Sequence, residues 1–131
     1  MPMKIMRFAD SNSGVLGVIE FPNLDFVPQR LYWLSDLVPG SIRGNHAHKT
    51  LRQAIFVVQG SINVVTYRGY ELKQFELSPQ SDLLIISPGT WREFWTDEIG
   101  SVLAVICDQK YDEADYIRDF NEYQNWWASQ S

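Results

Sequence analysis

The chain has 131 residues, of which 45% are hydrophobic and 14% aromatic, enough for one domain with a buried core. This composition excludes disorder as the main state, and the net charge of −5 argues against broad nucleic-acid binding, which needs a basic face. Cys107 is the only cysteine, so no internal disulfide can form, which suits a reducing cytoplasm. Residues 1–7 lack the apolar core of a signal peptide, and no later run approaches membrane-spanning length. We therefore expect a soluble, cytoplasmic protein that binds neither nucleic acid nor membrane.

Short apolar or alternating segments, divided by turn residues, run through most of the chain. This pattern is typical of a β-sandwich or barrel. Pairs such as Gln59-Gly60 and Arg68-Gly69 mark tight turns between the segments. No repeat, low-complexity segment or linker divides the sequence, so a single domain is predicted for residues 1–131. The predicted strands are 14–21, 30–34, 43–48, 53–58, 61–67, 71–77, 83–86, 91–96 and 102–107.

The C-terminal segment has a different pattern, with acidic residues at its start and aromatic residues at helical spacing. Tyr116, Phe120 and Tyr123 lie three or four positions apart and would form one stripe on a helix. Carboxylates in the first turn, from residue 112 onwards, suit the positive end of a helix dipole. We predict a short C-terminal helix that begins in the segment 111–120 and packs its aromatic stripe on the barrel.

The only two histidines of the chain stand two positions apart in the predicted strand 43–48, so both imidazoles point to one face. The spacing within 40–60 resembles the first signature of the cupin barrels, where HxH and a glutamate hold a metal. Gln53 stands at the glutamate position of this signature. Residues 87–92 resemble the second cupin signature, in which Arg92 replaces the histidine ligand. An amide and a fixed cation are poor neighbours for a divalent ion. We predict a cavity without metal or cofactor, in which His46 and His48 perform acid–base chemistry near neutral pH.

Three arginines fall on or beside the strands that are predicted to border this cavity: Arg30, Arg43 and Arg92. Each alone is more often a solvated surface residue, but the planar guanidinium group matches a diphosphate with two parallel hydrogen bonds. As a group they are candidates for anion binding. Tyr32 faces the same way as Arg30, and it either packs in the core or offers its hydroxyl to a substrate oxygen.

Together these segments resemble the nucleotide-sugar 3,4-ketoisomerases of deoxysugar biosynthesis. The resemblance rests on 29–34, on the RGNHAHK block at 43–49, on Gln53, on Gly60-Ser61 and on YDEADYIR at 111–118. It implies a metal-free, all-β cupin-type jelly-roll barrel that forms homodimers with exchanged N-terminal strands. It also implies conversion of dTDP-4-keto-6-deoxyglucose to a 3-keto isomer, which an aminotransferase uses to make 3-amino sugars of surface polysaccharides such as O-antigen.

The resemblance and the chemistry of the residues together predict a set of roles. The family's functional residues carry over to Arg30, Tyr32, Arg43, His46 and His48. Moving a ketone from C4 to C3 requires removal of the C3 proton, delivery of a proton to C4 and an enediol between them, and an imidazole can perform each transfer. We predict His48 as the proton-shuttling base, with His46 and Tyr32 polarising or protonating the oxygens. The predicted substrate-binding residues are Arg30, Arg43, Arg92 and Gln53.

Two positions depart from the family pattern and leave the C4 configuration of the product open. Ser13 stands where many members have an arginine, and Arg92 stands where some have histidine. Three other functions also stay open: nucleotide-sugar 3,5-epimerisation, non-catalytic binding of a nucleotide sugar, and a metallo-cupin dioxygenase that uses His46 and His48. The epimerases pair a histidine with an aspartate and take their tyrosine donor from a different strand.

The early strand at 14–21 and five tryptophans supply more apolar area than a small barrel can bury, which favours a homodimer.

Overall fold

The computed structural model describes residues 4–130, so residues 1–3 and the predicted domain limits at 1 and 131 lie outside the described residues. This part of the chain contains eleven strands, two 3₁₀ helices and one α-helix. The strands are β1 (Met6–Asp10), β2 (Gly14–Val18), β3 (Arg30–Leu34), β4 (Arg43–His48), β5 (Gln53–Gln59), β6 (Ile62–Arg68), β7 (Glu71–Leu77), β8 (Leu84–Ile86), β9 (Trp91–Trp95), β10 (Val102–Cys107) and β11 (Tyr116–Ile117). The 3₁₀ helices are Phe21–Asn23 and Glu113–Asp115, and the α-helix α1 is Phe120–Ser129.

Two antiparallel sheets form the body of the fold, in the orders β3-β10-β5-β8 and β11-β4-β9-β6-β7. Burial alternates along β6, so one face of this strand meets the opposite sheet while the other is only half-buried. The core between the sheets draws residues from both, including Ile55 and Val105 from one sheet and Ile62 and Val64 from the other. This arrangement confirms the predicted all-β, cupin-type jelly roll with a short C-terminal helix.

The N-terminal strands differ most from the prediction. β1 and β2 form a separate two-stranded sheet, and β1 was not predicted at all. β1 is half-buried to exposed throughout, so no alternation of apolar and polar residues marks it in the sequence. β2 ends at Val18 rather than at residue 21, because Pro22 stands in the first turn of the 3₁₀ helix Phe21–Asn23.

The C-terminal helix begins later than predicted, and Tyr116 is not part of it. Asp119 is the N-cap residue, and its carboxylate accepts hydrogen bonds from the backbone N–H groups of Asn121 and Glu122. The acidic residues that were placed in the first turn of this helix instead form a separate 3₁₀ helix, Glu113–Asp115, with Asp112 as its N-cap. Tyr116 lies in β11, where it pairs with His48 of β4.

None of the helices within residues 4–130 has the length and apolar character that a membrane-spanning helix requires.

Helix α1 packs on the outer face of the five-stranded sheet through its aromatic residues. The fully buried Tyr123 forms a cluster with Trp91 and the neighbouring Phe120, as the predicted packing requires. The Tyr123 hydroxyl accepts a hydrogen bond from the backbone N–H of Gly69 at 3.0 Å and lies 2.7 Å from the Gly89 carbonyl oxygen. The Gly89 N–H in turn donates to the carbonyl of His48 at 2.7 Å. The helix is thereby connected to the end of β4 through one residue, Gly89.

Candidate active site

A β-bulge in β4 directly precedes the two histidines of the site. Gly44 and Asn45 both adopt left-handed backbone conformations, with φ of 87° and 54°, and the register with β9 shifts between Gly44 and His46. A side chain at Gly44 would also approach the backbone oxygen of Arg92 to 2.9 Å. The Gly-Asn pair therefore suits this bulge. The imidazole rings of His46 and His48 lie 4.8 Å apart and nearly perpendicular, which agrees with the predicted shared face.

His46 is held as a neutral imidazole with a defined tautomer. Its Nδ1 lies 2.9 Å from the carbonyl oxygen of Gly44, so Nδ1 carries the proton and Nε2 carries the lone pair. Burial and then the nearby guanidinium of Arg92 lower the pKa of His46 from 6.5 to about 4. At neutral pH this side chain can accept a proton through Nε2.

His48 is buried at the junction of β4 and β11. Its Nδ1 lies 3.3 Å from a carboxylate oxygen of Asp115, and its ring packs against Tyr116 with centroids 4.2 Å apart. Within residues 4–130, neither Nδ1 nor Nε2 of His48 makes a hydrogen bond, so the Asp115 contact is one of ion-pair distance only. Burial and then Arg92 lower the pKa of His48 from 6.5 to about 2, so the imidazole is neutral in this environment.

A chain of hydrogen bonds crosses the barrel from Arg92 to Tyr32. Arg92, only 3% exposed, donates through Nη1 to Gln53 Oε1 and through Nε and Nη2 to the carbonyl of Thr90. Gln53 Nε2 donates to the Tyr32 hydroxyl at 3.2 Å and contacts Cys107 Sγ at 3.4 Å. Burial lowers the pKa of Arg92 to about 10 and raises that of Tyr32, so the first stays cationic and the second protonated. Because the Tyr32 oxygen already accepts from Gln53, its own proton is available to another acceptor.

The residues at the cupin metal position do not fit a divalent ion. His46 and His48 could supply two nitrogens, but Gln53 Oε1 is occupied by Arg92. Arg92 is the cross-strand neighbour of His46 and introduces a positive charge where a ligand would be required. No cluster of three or more His, Cys, Asp or Glu residues suited to a metal occurs within residues 4–130.

The other two predicted arginines lie at the periphery of the site. Arg30 stacks over the rings of Tyr32 and Tyr111, at 4.8 and 5.6 Å, and it lines a cleft together with His48 and Tyr116. Arg43 lies at the exposed beginning of β4, opposite Phe94 of β9. The fold thus brings Arg30, Tyr32, His46, His48, Gln53 and Arg92 together, whereas Arg43 stands at the rim.

Two residues that contact the histidines were not predicted as site residues. Asp115 lies beside His48, and Tyr116 packs against both imidazole rings, 5.0 Å from His46 and 4.2 Å from His48. Tyr116 is also covered by the guanidinium of Arg118 at 4.1 Å. Both stand in the YDEADYIR segment that carries the family resemblance, and this resemblance could have identified them as site residues. They were missed because the spacing of the aromatic residues indicated a helix in this segment.

The comparisons with known proteins agree with the resemblance read from the sequence. The family model described as "FdtA: WxcM-like, C-terminal" matches residues 1–128. A TDP-4-oxo-6-deoxy-alpha-D-glucose-3,4-oxoisomerase from Aneurinibacillus thermoaerophilus is 29% identical over 131 residues, covering 98% of this chain and 94% of the relative.

Two solved structures are similar over nearly their whole length. One is a mutant of the QdtA 3,4-ketoisomerase from Thermoanaerobacterium thermosaccharolyticum in complex with TDP-4-keto-6-deoxyglucose, with a TM-score of 0.91 and 31% identity, covering 99% of this chain and 94% of that one. The other is a 3,4-ketoisomerase from Helicobacter canadensis, with a TM-score of 0.89 and 29% identity, covering 98% of this chain and 96% of that one. This chain belongs to the WxcM-like, C-terminal (FdtA) family, and its resemblance to the sugar 3,4-ketoisomerases is confirmed.

Proposed function

We propose that this protein is an isomerase that converts dTDP-4-keto-6-deoxyglucose to a dTDP-3-keto-6-deoxyhexose through an enediol. The observation that carries the proposal is the pair of neutral imidazoles, 4.8 Å apart, next to the buried cation of Arg92, which Gln53 links to the Tyr32 hydroxyl. The named relatives are 3,4-ketoisomerases, and one structural neighbour holds TDP-4-keto-6-deoxyglucose. No cofactor takes part in the proposed reaction.

In the first half of the reaction, Nε2 of His48 removes the proton from C3 of the sugar. The electron pair of the C3–H bond becomes the C3=C4 double bond, and the C4 ketone oxygen takes up negative charge. The Tyr32 hydroxyl donates its proton to that oxygen, which gives the neutral enediol. Before this transfer is complete, the guanidinium of Arg92 favours the anionic oxygen, because the cation is buried and already in place.

In the second half, the imidazolium of His48 exchanges its proton with solvent and then delivers a proton to C4. Nε2 of His46 accepts the proton of the C3 hydroxyl as the C3=O bond forms, and the electron pair of the double bond takes the proton from His48. His46 and Tyr32 then exchange a proton through the new C4 hydroxyl or through solvent, which restores both residues. The product has a ketone at C3 and a hydroxyl at C4, and no net proton or electron is consumed.

Substrate binding in this proposal depends on the arginines. Arg30 lines the cleft next to His48, and Arg43 lies at the exposed edge of β4, so both are available to the diphosphate. Arg92 and Gln53 are bonded to each other and to the barrel wall, so they form the polar floor under the sugar. The two groups of residues would therefore affect different kinetic constants.

The decisive experiment incubates the protein, purified without added metal, with dTDP-4-keto-6-deoxyglucose in deuterated buffer. We expect NMR to show a ketone at C3 and deuterium at C4, and a 3-aminotransferase to convert the product to a 3-amino sugar. A ketone that stays at C4 with an altered C5 centre would establish 3,5-epimerisation instead. Recovery of unchanged substrate without deuterium would indicate a binding protein, and elemental analysis showing stoichiometric metal would favour a dioxygenase.

We also propose that the protein is a cytoplasmic homodimer with exchanged N-terminal strands. The hairpin of β1 and β2 pairs with no other strand among residues 4–130, and it exposes Phe8, Val15 and Leu16. On β3, Trp33 is 65% exposed although it lies in the sheet. A second copy that covers this surface would remove a large apolar area from water. Light scattering should report twice the mass of one chain at micromolar concentration, and a monomer would contradict this part of the proposal.

A further inference from the structure

Asp115 is a buried carboxylate that the reaction outlined above does not use. It is 8% exposed and lies at the end of the 3₁₀ helix Glu113–Asp115, far from His48 in sequence. Oδ1 accepts hydrogen bonds from the backbone N–H of Thr50 at 2.9 Å and from its hydroxyl at 2.7 Å. Oδ2 accepts from the backbone N–H of Leu51 at 3.2 Å. A group that receives three donors acts as an acceptor, and its Oδ2 also lies 3.3 Å from Nδ1 of His48.

The backbone fixes this carboxylate relative to β4 from both sides. The N–H of Lys49, the residue after His48, donates to the carbonyl of Asp115 at 3.0 Å. The next residue, Tyr116, is the pairing partner of His48 in the β4–β11 ladder. The carboxylate therefore stands at a set distance from the imidazole even though 66 residues separate the two positions along the chain.

We propose that Asp115 is a positioning residue for the proposed isomerase, which holds His48 in the tautomer whose Nε2 carries the lone pair and stabilises the imidazolium that forms during proton transfer. Nδ1 lies 3.3 Å from Asp115 Oδ2, so the ring proton belongs on the nitrogen that faces the carboxylate. Nε2 is then the basic nitrogen: neither ring nitrogen makes a hydrogen bond within residues 4–130, but only Nδ1 lies at ion-pair distance from a carboxylate. The tautomer of His48 is inferred from the geometry alone. Only the expected effect on kcat rests on the proposed function.

The other groups around His48 explain why such a counter-charge is needed. Arg92, Arg30 and Arg118 are cations that act against protonation, and His46 does the same. Burial of the ring acts in the same direction. Removing a proton from carbon would place a positive charge on His48 in these surroundings. A carboxylate at ion-pair distance opposes the unfavourable contributions, in the way that an aspartate supports the histidine of a hydrolytic triad.

The test compares Asp115→Asn with two controls. Asn keeps the size and can accept from the 50–51 backbone, but it loses the charge and can present N–H to Nδ1. We expect kcat to fall by about 100-fold or more with little change in KM, since the wrong tautomer removes the base. Thr50→Val keeps the carboxylate but removes one donor, and it should lose less than about 10-fold because one hydrogen bond is worth roughly 1 kcal/mol. Asp25→Asn repeats the substitution at an exposed position and should leave kcat unchanged.

The spectroscopic measurement separates a positioning role from a structural one. In the resting wild-type protein, ¹⁵N NMR of histidine side chains should show His48 protonated on Nδ1, and Asp115→Asn should shift it towards the Nε2-protonated form while His46 stays unchanged. A wild-type His48 protonated on Nε2 would overturn the inference, even if the variant did not fold. Normal turnover in Asp115→Asn would also overturn the inference. The same holds for a fall in kcat no larger than that of Thr50→Val with the His48 tautomer unchanged. A wild-type protein with the expected tautomer but no isomerase activity would refute the proposed function and leave the Asp115–His48 pairing intact.

Discussion

Replacement of His48 by Asn removes the proposed base while changing the packing of the site little. The position is buried beside Tyr116 and Asp115, and the Asn amide is small enough for the cavity and can still donate to the carboxylate. What is lost is a nitrogen with a lone pair at the Nε2 position. A general base contributes about 10²- to 10⁴-fold to rate, so kcat should fall by that factor, equivalent to about 3–5 kcal/mol in the barrier. KM should change little, because Arg30 and Arg43 provide the proposed diphosphate contacts.

The assay follows kcat and KM together with exchange of the C3 hydrogen in deuterated solvent. In His48→Asn, both isomerisation and C3 exchange should be slow. The matched control is His46→Asn, which removes the neighbouring imidazole but keeps the base, so C3 exchange should persist while formation of the 3-keto product slows. Near-normal exchange in His48→Asn would refute the reasoning, and His46 would become the better candidate for the base.

Three further predictions concern binding, stability and pH. Arg43→Ala should raise KM by roughly 10- to 100-fold with kcat nearly unchanged, as expected for one charge-assisted contact, and a fall in kcat at constant KM would contradict that role. Tyr123→Phe should lower the free energy of unfolding by about 1–3 kcal/mol in urea titrations, because a buried hydroxyl with three backbone contacts is removed, whereas Tyr70→Phe at an 83% exposed site should have little effect. The folded-state pKa values of His46 and His48, about 4 and about 2, lie below the unfolded value of 6.5. The unfolded state therefore binds protons that the folded state does not, and stability should fall as pH drops below about 6.5, by on the order of 1 kcal/mol per pH unit for each histidine, a dependence that replacing both by Asn should flatten.

The core strands could be predicted because burial makes their sequences alternate or read as apolar runs. The seven-residue strands β5 and β6 match the predicted segments within one residue at each end. β1 could not be found in this way, because a hairpin with two exposed faces places no constraint on which positions are apolar. The start of α1 was misplaced for a different reason. The spacing of Tyr116, Phe120 and Tyr123 fits a helix, but the N-cap at Asp119 determines where the helix begins.

The sequence predicted those parts of the site that depend on residues close together in the chain. His46 and His48 share a strand, so their proximity follows from a period of two, and the Gly-Asn bulge only adjusts their direction. The contact between His48 and Asp115 depends on how β11 pairs with β4, and nothing near either residue specifies that pairing. The partnership of Arg92 with Gln53 likewise joins two sheets across the barrel. The roles of the individual residues stay predictions until the kinetic experiments are performed.

The position of Gly89 between β4 and α1 has a consequence for how the protein loses activity on heating. Its N–H holds the carbonyl of His48, and its C=O meets the hydroxyl of Tyr123 on α1. A terminal helix detaches at lower cost than a central sheet, since it has fewer neighbours to leave. Detachment of α1 would free the 87–90 turn and then the end of the strand that carries the proposed base. We therefore expect thermal inactivation at temperatures where circular dichroism still reports intact sheets, with the C-terminal tryptophans as the first fluorescence signal to change.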